Sequence, residues 1–115
     1  MQTEQTPPPE VPEDVEIETI WVVEVPYTPE APERRPRYRR AHLTRIARLI
    51  REGRVVEAGG IGDWSKAVLL IRGSSEAEVL ALIAEDVYTS GGVWHSPTAR
   101  PYGRVIPRLA EATNR

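Results

Sequence analysis

The sequence KAVLLIR, at residues 66–72, decides the fold that we predict for this chain. Every position between its two terminal charges is apolar, and a strand points successive side chains to opposite faces of its sheet. Both faces of this strand must therefore be covered by other protein groups. Upstream, residues 54–58 predict a shorter strand, and residues 59–63, which contain three glycines, predict a flexible turn between the two strands.

A helix is predicted directly after this strand. Ser75 is placed to cap its N-terminus, and Glu78, three residues later, to close a capping box. The expected buried stripe of this helix consists of Val79, Leu80, Ile83 and Val87. Asp86 lies at the edge of the stripe near the helix end, and we expect its carboxylate to face inward.

An earlier helix is predicted to begin near Pro36 or Arg37 and to end at Gly53. Its apolar stripe contains Leu43, Ile46, Leu49 and Ile50, and its opposite face Arg40, Arg45, Arg48, Arg51 and Glu52. His42 falls inside the apolar stripe, and Arg39, one turn earlier, projects to the same side. Because a buried imidazole and a buried guanidinium need partners or a cavity, this face is the first candidate site.

The remaining segments complete an α+β fold. Residues 16–27 are β-branched and aromatic and predict a first strand, and residues 28–36 a proline-rich loop. Residues 93–99 predict a fourth strand and residues 102–106 a short closing strand. The order βαββαβ is typical of a ferredoxin-like sandwich with both helices on one sheet face. The other face would remain apolar, so we expect it to pack on a second copy in a homodimer.

Length and composition predict one domain. With 115 residues, 40% of them hydrophobic, the chain has enough apolar groups for one core. Residues 1–15 are rich in proline and glutamate and predict a disordered tail. The folded domain is expected at residues 16–107, with a C-terminal tail at residues 108–115.

Several classes of function are disfavoured by the residue inventory. The absence of cysteine excludes disulfides and thiolate chemistry, and the few scattered histidines and aspartates form no metal-ligand pattern. Residues 34–54 contain nine arginines and one acid, but at the spacing of a solvated helix face, which disfavours a nucleic-acid partner. The glycine-rich stretches lack the lysine and spacing of a phosphate loop. Without a signal sequence or a long apolar run, no membrane association is predicted, and we expect a cytoplasmic protein.

The sequence resembles the YciI-like (YCII-related) family of the dimeric α/β-barrel superfamily. The likeness consists of Arg39-x-x-His42-Leu43 on the first helix, the sequence GRVVEAG at residues 53–59, and Asp86 near the end of the second helix. The resemblance implies a cofactor-free protein in which His42 and Asp86 form a catalytic pair. Relatives include isomerases, dehydrochlorinases and cyclases that act on small oxidised rings or polyketides. This chain departs from the usual Asp-Pro-aromatic segment, because Val87 follows Asp86.

These observations assign candidate roles. His42 would transfer protons, Asp86 would orient it, and Arg39 would bind an anionic group of a small-molecule substrate. Asp63, in the glycine-rich turn, is a second candidate partner, although aspartate in such turns most often binds its own backbone. Trp21, Trp64 and Trp94 are candidate walls of the substrate pocket, although tryptophans more often belong to a core or an interface. Two alternatives stay open: the charged residues form a buried structural cluster, or the cavity belongs to a ligand-binding or accessory module without turnover.

Overall fold

The computed structural model describes residues 10–108. Its strands and helices, in chain order, are β1 (Val15–Pro26), α1 (Ala31–Arg51), β2 (Val55–Gly60), β3 (Lys66–Ile71), α2 (Glu76–Ala84), α3 (Val87–Ser90) and β4 (Thr98–Pro107). Residues 1–9 and 109–115 lie outside this range. They make up most of the two predicted terminal tails.

The four strands form a sheet in the order β2-β3-β1-β4. Strand β3 pairs antiparallel with β1, where Val23 lies opposite Leu69, and antiparallel with β2, where Ala58 lies opposite Leu69. The β2–β3 register shifts between Val55 and Glu57, so one residue of β2 bulges there. The predicted α+β, ferredoxin-like architecture is confirmed.

Alternation along β3 separates a core face from an open face. Ala67, Leu69 and Ile71 are buried, whereas Val68 and Leu70 are half-buried. The core face packs against both longer helices through Ile46 and Leu49 of α1 and Val79, Leu82 and Ile83 of α2. Burying an aliphatic side chain of this size contributes about 1.5–3 kcal/mol, so this layer orients the two helices that hold the site.

Helix α1 begins at Ala31, so the prediction of a loop over residues 28–36 is wrong for residues 31–36. Prolines are tolerated in a first helical turn, where N–H groups have no partner inside the helix. Pro32 occupies that turn, and the Glu30 carbonyl accepts from the Arg34 N–H at 3.0 Å. Pro36 lies inside the helix and removes one backbone hydrogen bond. The backbone hydrogen bonds of the four following turns outweigh this loss.

The two predicted helix stripes are correct in part. Ile46 and Leu49 are buried as expected, but Leu43 and Ile50 are exposed in this chain by itself. In α2, Ser75 caps the N-terminus as predicted, accepting from Glu78 N at 3.1 Å. Glu78 accepts from Ser74 rather than Ser75, so the box is displaced by one residue. The buried positions are Val79, Leu82 and Ile83, with Leu82 replacing the expected Leu80.

The end of the second helix and the last strands also differ from the prediction. Helix α2 ends at Ala84, and Asp86 starts the four-residue helix α3 instead of ending α2. The predicted strand at 93–99 is wrong for residues 93–97, because Trp94 makes only an isolated bridge to Tyr27 and β4 begins at Thr98. Strand β4 includes the predicted closing strand at residues 102–106.

The chain divides into two compact units. The larger unit comprises Ile20–Tyr102 and contains both long helices and the candidate site. The described part of the smaller unit comprises residues 10–19 and 103–108. Within its described part, Arg104 Nη1 contacts Glu18 Oε1 at 3.0 Å, and Arg108 N donates to the Asp14 carbonyl at 2.7 Å. The predicted domain limits at 16 and 107 stay predictions.

Candidate active site

The inward face of α1 and the start of α3 bring His42 and Asp86 together. His42 Nδ1 lies 2.8 Å from Asp86 Oδ1, across 44 residues of sequence. Asp86 is fully buried and His42 is 7% exposed. The predicted proximity of these two residues is therefore present in the structure, and their contact is protected from bulk water.

Both carboxylate oxygens of Asp86 accept hydrogen bonds. Oδ1 accepts from His42 and also from the Tyr88 backbone N–H at 2.8 Å, which caps α3. Oδ2 accepts from Arg45 Nη1 at 2.8 Å. Burial raises the pKa of Asp86, but the hydrogen bonds from His42, Tyr88 and Arg45 outweigh burial, and the net pKa lies below its ordinary value. Asp86 is therefore a carboxylate at neutral pH.

The carboxylate determines the tautomer of His42. Ionised Asp86 has no proton to donate, so the Nδ1 atom of His42 carries the hydrogen of their contact. In a neutral imidazole the lone pair is then on Nε2. A histidine oriented in this way is equipped to accept a proton at Nε2, while Asp86 stabilises the cation that results.

Arg45 is a member of this cluster that the sequence interpretation misplaced. We predicted it on the solvated face of α1, but its side chain is only 15% exposed and reaches α2 and α3. Besides Asp86, it donates through Nη2 to the Leu82 carbonyl at 2.9 Å. Its position three residues after His42 was a usable signal, because residues at that spacing are neighbours on a helix.

Two aromatic rings enclose the imidazole. The Tyr88 ring stacks on His42 with a centroid distance of 3.7 Å and an interplanar angle of 10°. The Trp94 ring meets His42 edge-on at 4.9 Å and 84°. These contacts restrict the rotation of the His42 ring, since any turn about its side-chain bonds would collide with one of the two. The imidazole is therefore oriented by packing as well as by Asp86.

His42 lines a cavity of about 160 Å³ between α1 and the sheet. The cavity walls in the described part of the chain are Tyr27, Arg39, His42, Leu43, Ile46, Ala58, Gly59, Gly60, Trp64, Ala67, Leu69, Tyr88 and Trp94. An apolar cavity of about 150 Å³ in another protein holds one benzene molecule, so this volume suits a ligand with a single six-membered ring.

The predicted substrate-binding residues separate into two groups. Arg39, Trp64 and Trp94 line the cavity with His42. Trp21 and Asp63 are not among the described residues of its wall. Trp21 Nε1 donates to the Gly73 carbonyl at 2.9 Å, which is a packing role.

Asp63 binds its own turn. Its Oδ1 accepts from Ser65 N at 2.9 Å, and the hydrogen bonds from Ser65 lower the pKa of Asp63. The structure therefore contains the local contact with the turn backbone, which was the alternative to a role of Asp63 as a partner of the site. Its side chain instead borders a separate cavity, which it shares with Arg35 and Trp64.

Three further wall residues were missed or underrated by sequence interpretation: Tyr27, Tyr88 and Gly60. A Cβ atom placed on Gly60 would lie 3.2 Å from Tyr27 Oη and 3.5 Å from the Trp64 ring. The glycine therefore leaves room for these aromatic groups beside the cavity. The family's Asp-Pro-aromatic segment was the available signal for Tyr88, which occupies its aromatic position two residues after Asp86.

Across residues 10–108, no group of three or more histidine, aspartate or glutamate side chains is arranged to hold a metal ion. Within the same range, no helix has the length and apolar character required to cross a membrane.

The order of the strands and helices defines the class of fold: an α+β, ferredoxin-like sandwich. Among solved structures, the chain is similar to the 5-chloro-2-hydroxyhydroquinone dehydrochlorinase TftG from Burkholderia phenoliruptrix AC1100, in complex with 2,5-dihydroxybenzoquinone. The TM-score is 0.60 at 17% sequence identity, over 72% of this chain and 92% of that one. At this identity the likeness shows the fold alone. No protein-family model matches the chain, and no curated protein sequence matches it either.

Proposed function

We propose that this protein is a cofactor-free acid-base enzyme of the YciI-like family that acts on a small oxidised ring. The reaction would be an isomerisation, an elimination of the dehydrochlorinase or dehydratase type, or a cyclisation. The observation that carries the proposal is the contact of His42 Nδ1 with buried Asp86 at 2.8 Å, at the wall of a ring-sized cavity. The family resemblance of the sequence supports it independently.

In this mechanism His42 Nε2 removes a proton from carbon or oxygen of the substrate. The electron pair moves into the ring and onto a carbonyl oxygen, giving an enolate. Asp86 stabilises the imidazolium, and Arg39, on the cavity wall, stabilises the negative oxygen. Return of the proton to another atom completes an isomerisation, whereas departure of a leaving group such as chloride completes an elimination.

The similar solved structure supports the substrate class. Its name describes a dehydrochlorinase of a chlorinated hydroxyhydroquinone, and its bound molecule is a dihydroxybenzoquinone. Both are single six-membered rings with several oxygens, and a ring of this size suits the volume of the cavity in this chain.

The alternative function is a non-catalytic ligand-binding or accessory module. One observation favours it: both oxygens of Asp86 are satisfied within the protein, as in a structural ion cluster. A structural cluster predicts that removing the imidazole affects folding more than turnover. An acid-base pair predicts the reverse.

The test is turnover of 5-chloro-2-hydroxyhydroquinone, followed by chloride release and by the absorbance of the ring. His42→Gln should lower kcat by about 10²–10⁴-fold while the circular dichroism spectrum stays that of the original protein. His95→Gln is the matched control, because His95 is exposed and contacts Ser96. Full activity of His42→Gln, or its unfolding, would favour the accessory module.

We further propose that the protein works as a cytoplasmic homodimer formed across the open face of the sheet. On this face Val22 lies opposite Leu70, and both are half-buried beside a groove of about 340 Å³. Covering such a face with a second copy would remove apolar surface from water. Light scattering at micromolar concentration should give twice the mass of the chain, and a monomeric mass would contradict this.

A further inference from the structure

The hydroxyl of Tyr88 is a buried polar group that the proposed mechanism does not use. Tyr88 is 1% exposed, and its Oη atom has no hydrogen-bond partner within residues 10–108. An unsatisfied buried hydroxyl destabilises a folded protein, so a native site that keeps one usually has a partner for it. A ligand in the adjacent cavity is such a partner.

The side chain that carries this hydroxyl belongs to the cavity wall. Tyr88 lines the cavity together with Arg39 and Tyr27. Burial raises the pKa of Tyr88, whereas the positive charges of Arg39 and Arg35, and the approach of the Arg39 side chain to the hydroxyl, oppose this rise. The net pKa is raised, so the hydroxyl keeps its proton at neutral pH and is available as a donor.

A second donor of the same wall is also unsatisfied. Trp94 Nε1 is buried without a hydrogen-bond partner in the described part of the chain, and the Trp94 ring meets the Tyr88 ring edge-on at 5.4 Å. Two neighbouring donors without acceptors, on one wall of one cavity, indicate a ligand that brings acceptor oxygens.

The position of Tyr88 is coupled to the candidate dyad. Its backbone N–H donates to Asp86 Oδ1 at 2.8 Å, and its ring stacks on His42. The same carboxylate therefore places both the imidazole and the phenol. A ligand held by the hydroxyl would lie beside the ring of the group that we propose as the base.

We propose that the Tyr88 hydroxyl donates a hydrogen bond to a ring oxygen of the substrate, which we assign to the class of planar hydroxylated or quinonoid six-membered rings. This inference rests on the proposed function. When His42 takes the substrate proton, negative charge develops on the ring oxygen, and the hydrogen bond from Tyr88 strengthens. Tyr88 keeps its own proton throughout, so the proton and electron balance of the reaction is unchanged.

The decisive variant is Tyr88→Phe, which retains the ring that stacks on His42 and removes the hydroxyl. Calorimetric titration with 2,5-dihydroxybenzoquinone should show about 10-fold weaker binding than in the original protein. Tyr38→Phe is the control, because the Tyr38 ring packs over Gly91, outside the described cavity wall. Its affinity should equal that of the original protein.

A second measurement does not depend on the fold of the variant. With ¹³C-labelled tyrosine, the Cζ resonance of Tyr88 in the original protein should move on addition of the probe, while that of Tyr38 stays in place. Equal affinities for Tyr88→Phe and the original protein, or an unmoved Tyr88 resonance at saturating probe, overturn the inference.

The two proposals fail in distinguishable ways. If Tyr88→Phe binds the probe normally and His42→Gln loses turnover, the proposed function stands and the role of Tyr88 is wrong. If the original protein neither binds nor converts the ring compounds, both proposals fall together.

Discussion

Two ionic groups on helix α1 differ in almost every physical respect. His42 and Arg45 reach the buried carboxylate of Asp86, which lies 44 and 41 residues away from them in sequence, respectively. Arg48 and Glu52, one turn further along, form an i,i+4 pair at 3.3 Å with both side chains about half exposed. The first group joins α1 to α3, whereas the second stays within one helix. Contacts between basic side chains and carboxylates therefore hold the candidate site together in the buried cluster, whereas the same kind of contact stays on the solvated surface of the helix in the exposed pair.

The difference follows from solvent. Water screens the exposed pair, and holding two long side chains in place costs conformational entropy, so such pairs contribute little. Within the buried cluster the charges interact strongly, but each one needs a partner to compensate for its lost hydration. Removing one member should therefore be far more costly in the cluster than in the pair.

The largest effect is expected for Asp86→Ala. This change leaves the Arg45 guanidinium without its carboxylate and removes the N-cap of α3. We expect the free energy of unfolding to fall by about 3–5 kcal/mol, the usual result of breaking a buried ion pair on one side. Urea unfolding measures this loss. A change below about 1 kcal/mol would mean that the cluster is no stronger than a surface pair.

A smaller loss is expected for Arg45→Met, which keeps much of the side-chain volume and removes the hydrogen bonds to Asp86 and the Leu82 carbonyl. Two lost partners with partial solvent access should cost about 1–3 kcal/mol. Arg39→Met is the matched control on the same helix and should leave stability unchanged within about 0.5 kcal/mol. Equal losses for the two variants would contradict the assignment of Arg45 to the cluster.

The pH dependence of stability should reveal the cluster without mutation. Because the folded-state pKa of Asp86 lies below its ordinary value, the ionised carboxylate contributes stability above the unfolded-state pKa of about 4. That contribution is lost as pH falls through the lower folded-state pKa. The difference in unfolding free energy between the original protein and Asp86→Asn should therefore shrink between about pH 5 and pH 2. A difference that is constant over this interval would exclude the carboxylate as its source.

The smallest effect is expected for Glu52→Gln, which removes the charge of the exposed pair. The free energy of unfolding should fall by at most about 0.3–0.5 kcal/mol, and the loss should vanish in 1 M salt. Thermal unfolding at low and high salt measures both. A loss above 1 kcal/mol that persists in salt would remove the contrast between the two groups.

Much of the fold was accessible from local patterns. The apolar run at residues 66–72, the β-branched run at residues 16–27 and the cap at Ser75 each correspond to an element of the structure. The errors occurred where local rules compete. Pro36 was read as a helix start, yet tertiary packing carries α1 through it. Val93 and Trp94 have strand-like composition, but they follow α3 and pack in the core.

The candidate site was predictable to the level of the helix face. The periodicity of α1 predicted that His42 faces inward, and the side chain is buried in the structure, with 7% of its surface exposed. Arg39 and Arg45 each lie three residues from His42, about 60° to either side of it around the helix. Periodicity favours Arg39, which falls within the apolar stripe, over Arg45, which lies on the far side of His42 from that stripe.

The sequence by itself determined the strand and helix order, the two-faced β3 strand and the inward orientation of His42, because these depend on side-chain periods of two and 3.6 residues. Tertiary structure alone decided that Arg45 rather than Arg39 binds Asp86, and that Tyr88 and Trp94 enclose the imidazole. Those contacts depend on where α3 turns after α2, between residues some 40 positions apart. Such long-range distances follow from how the whole core packs, which no local pattern of residues encodes.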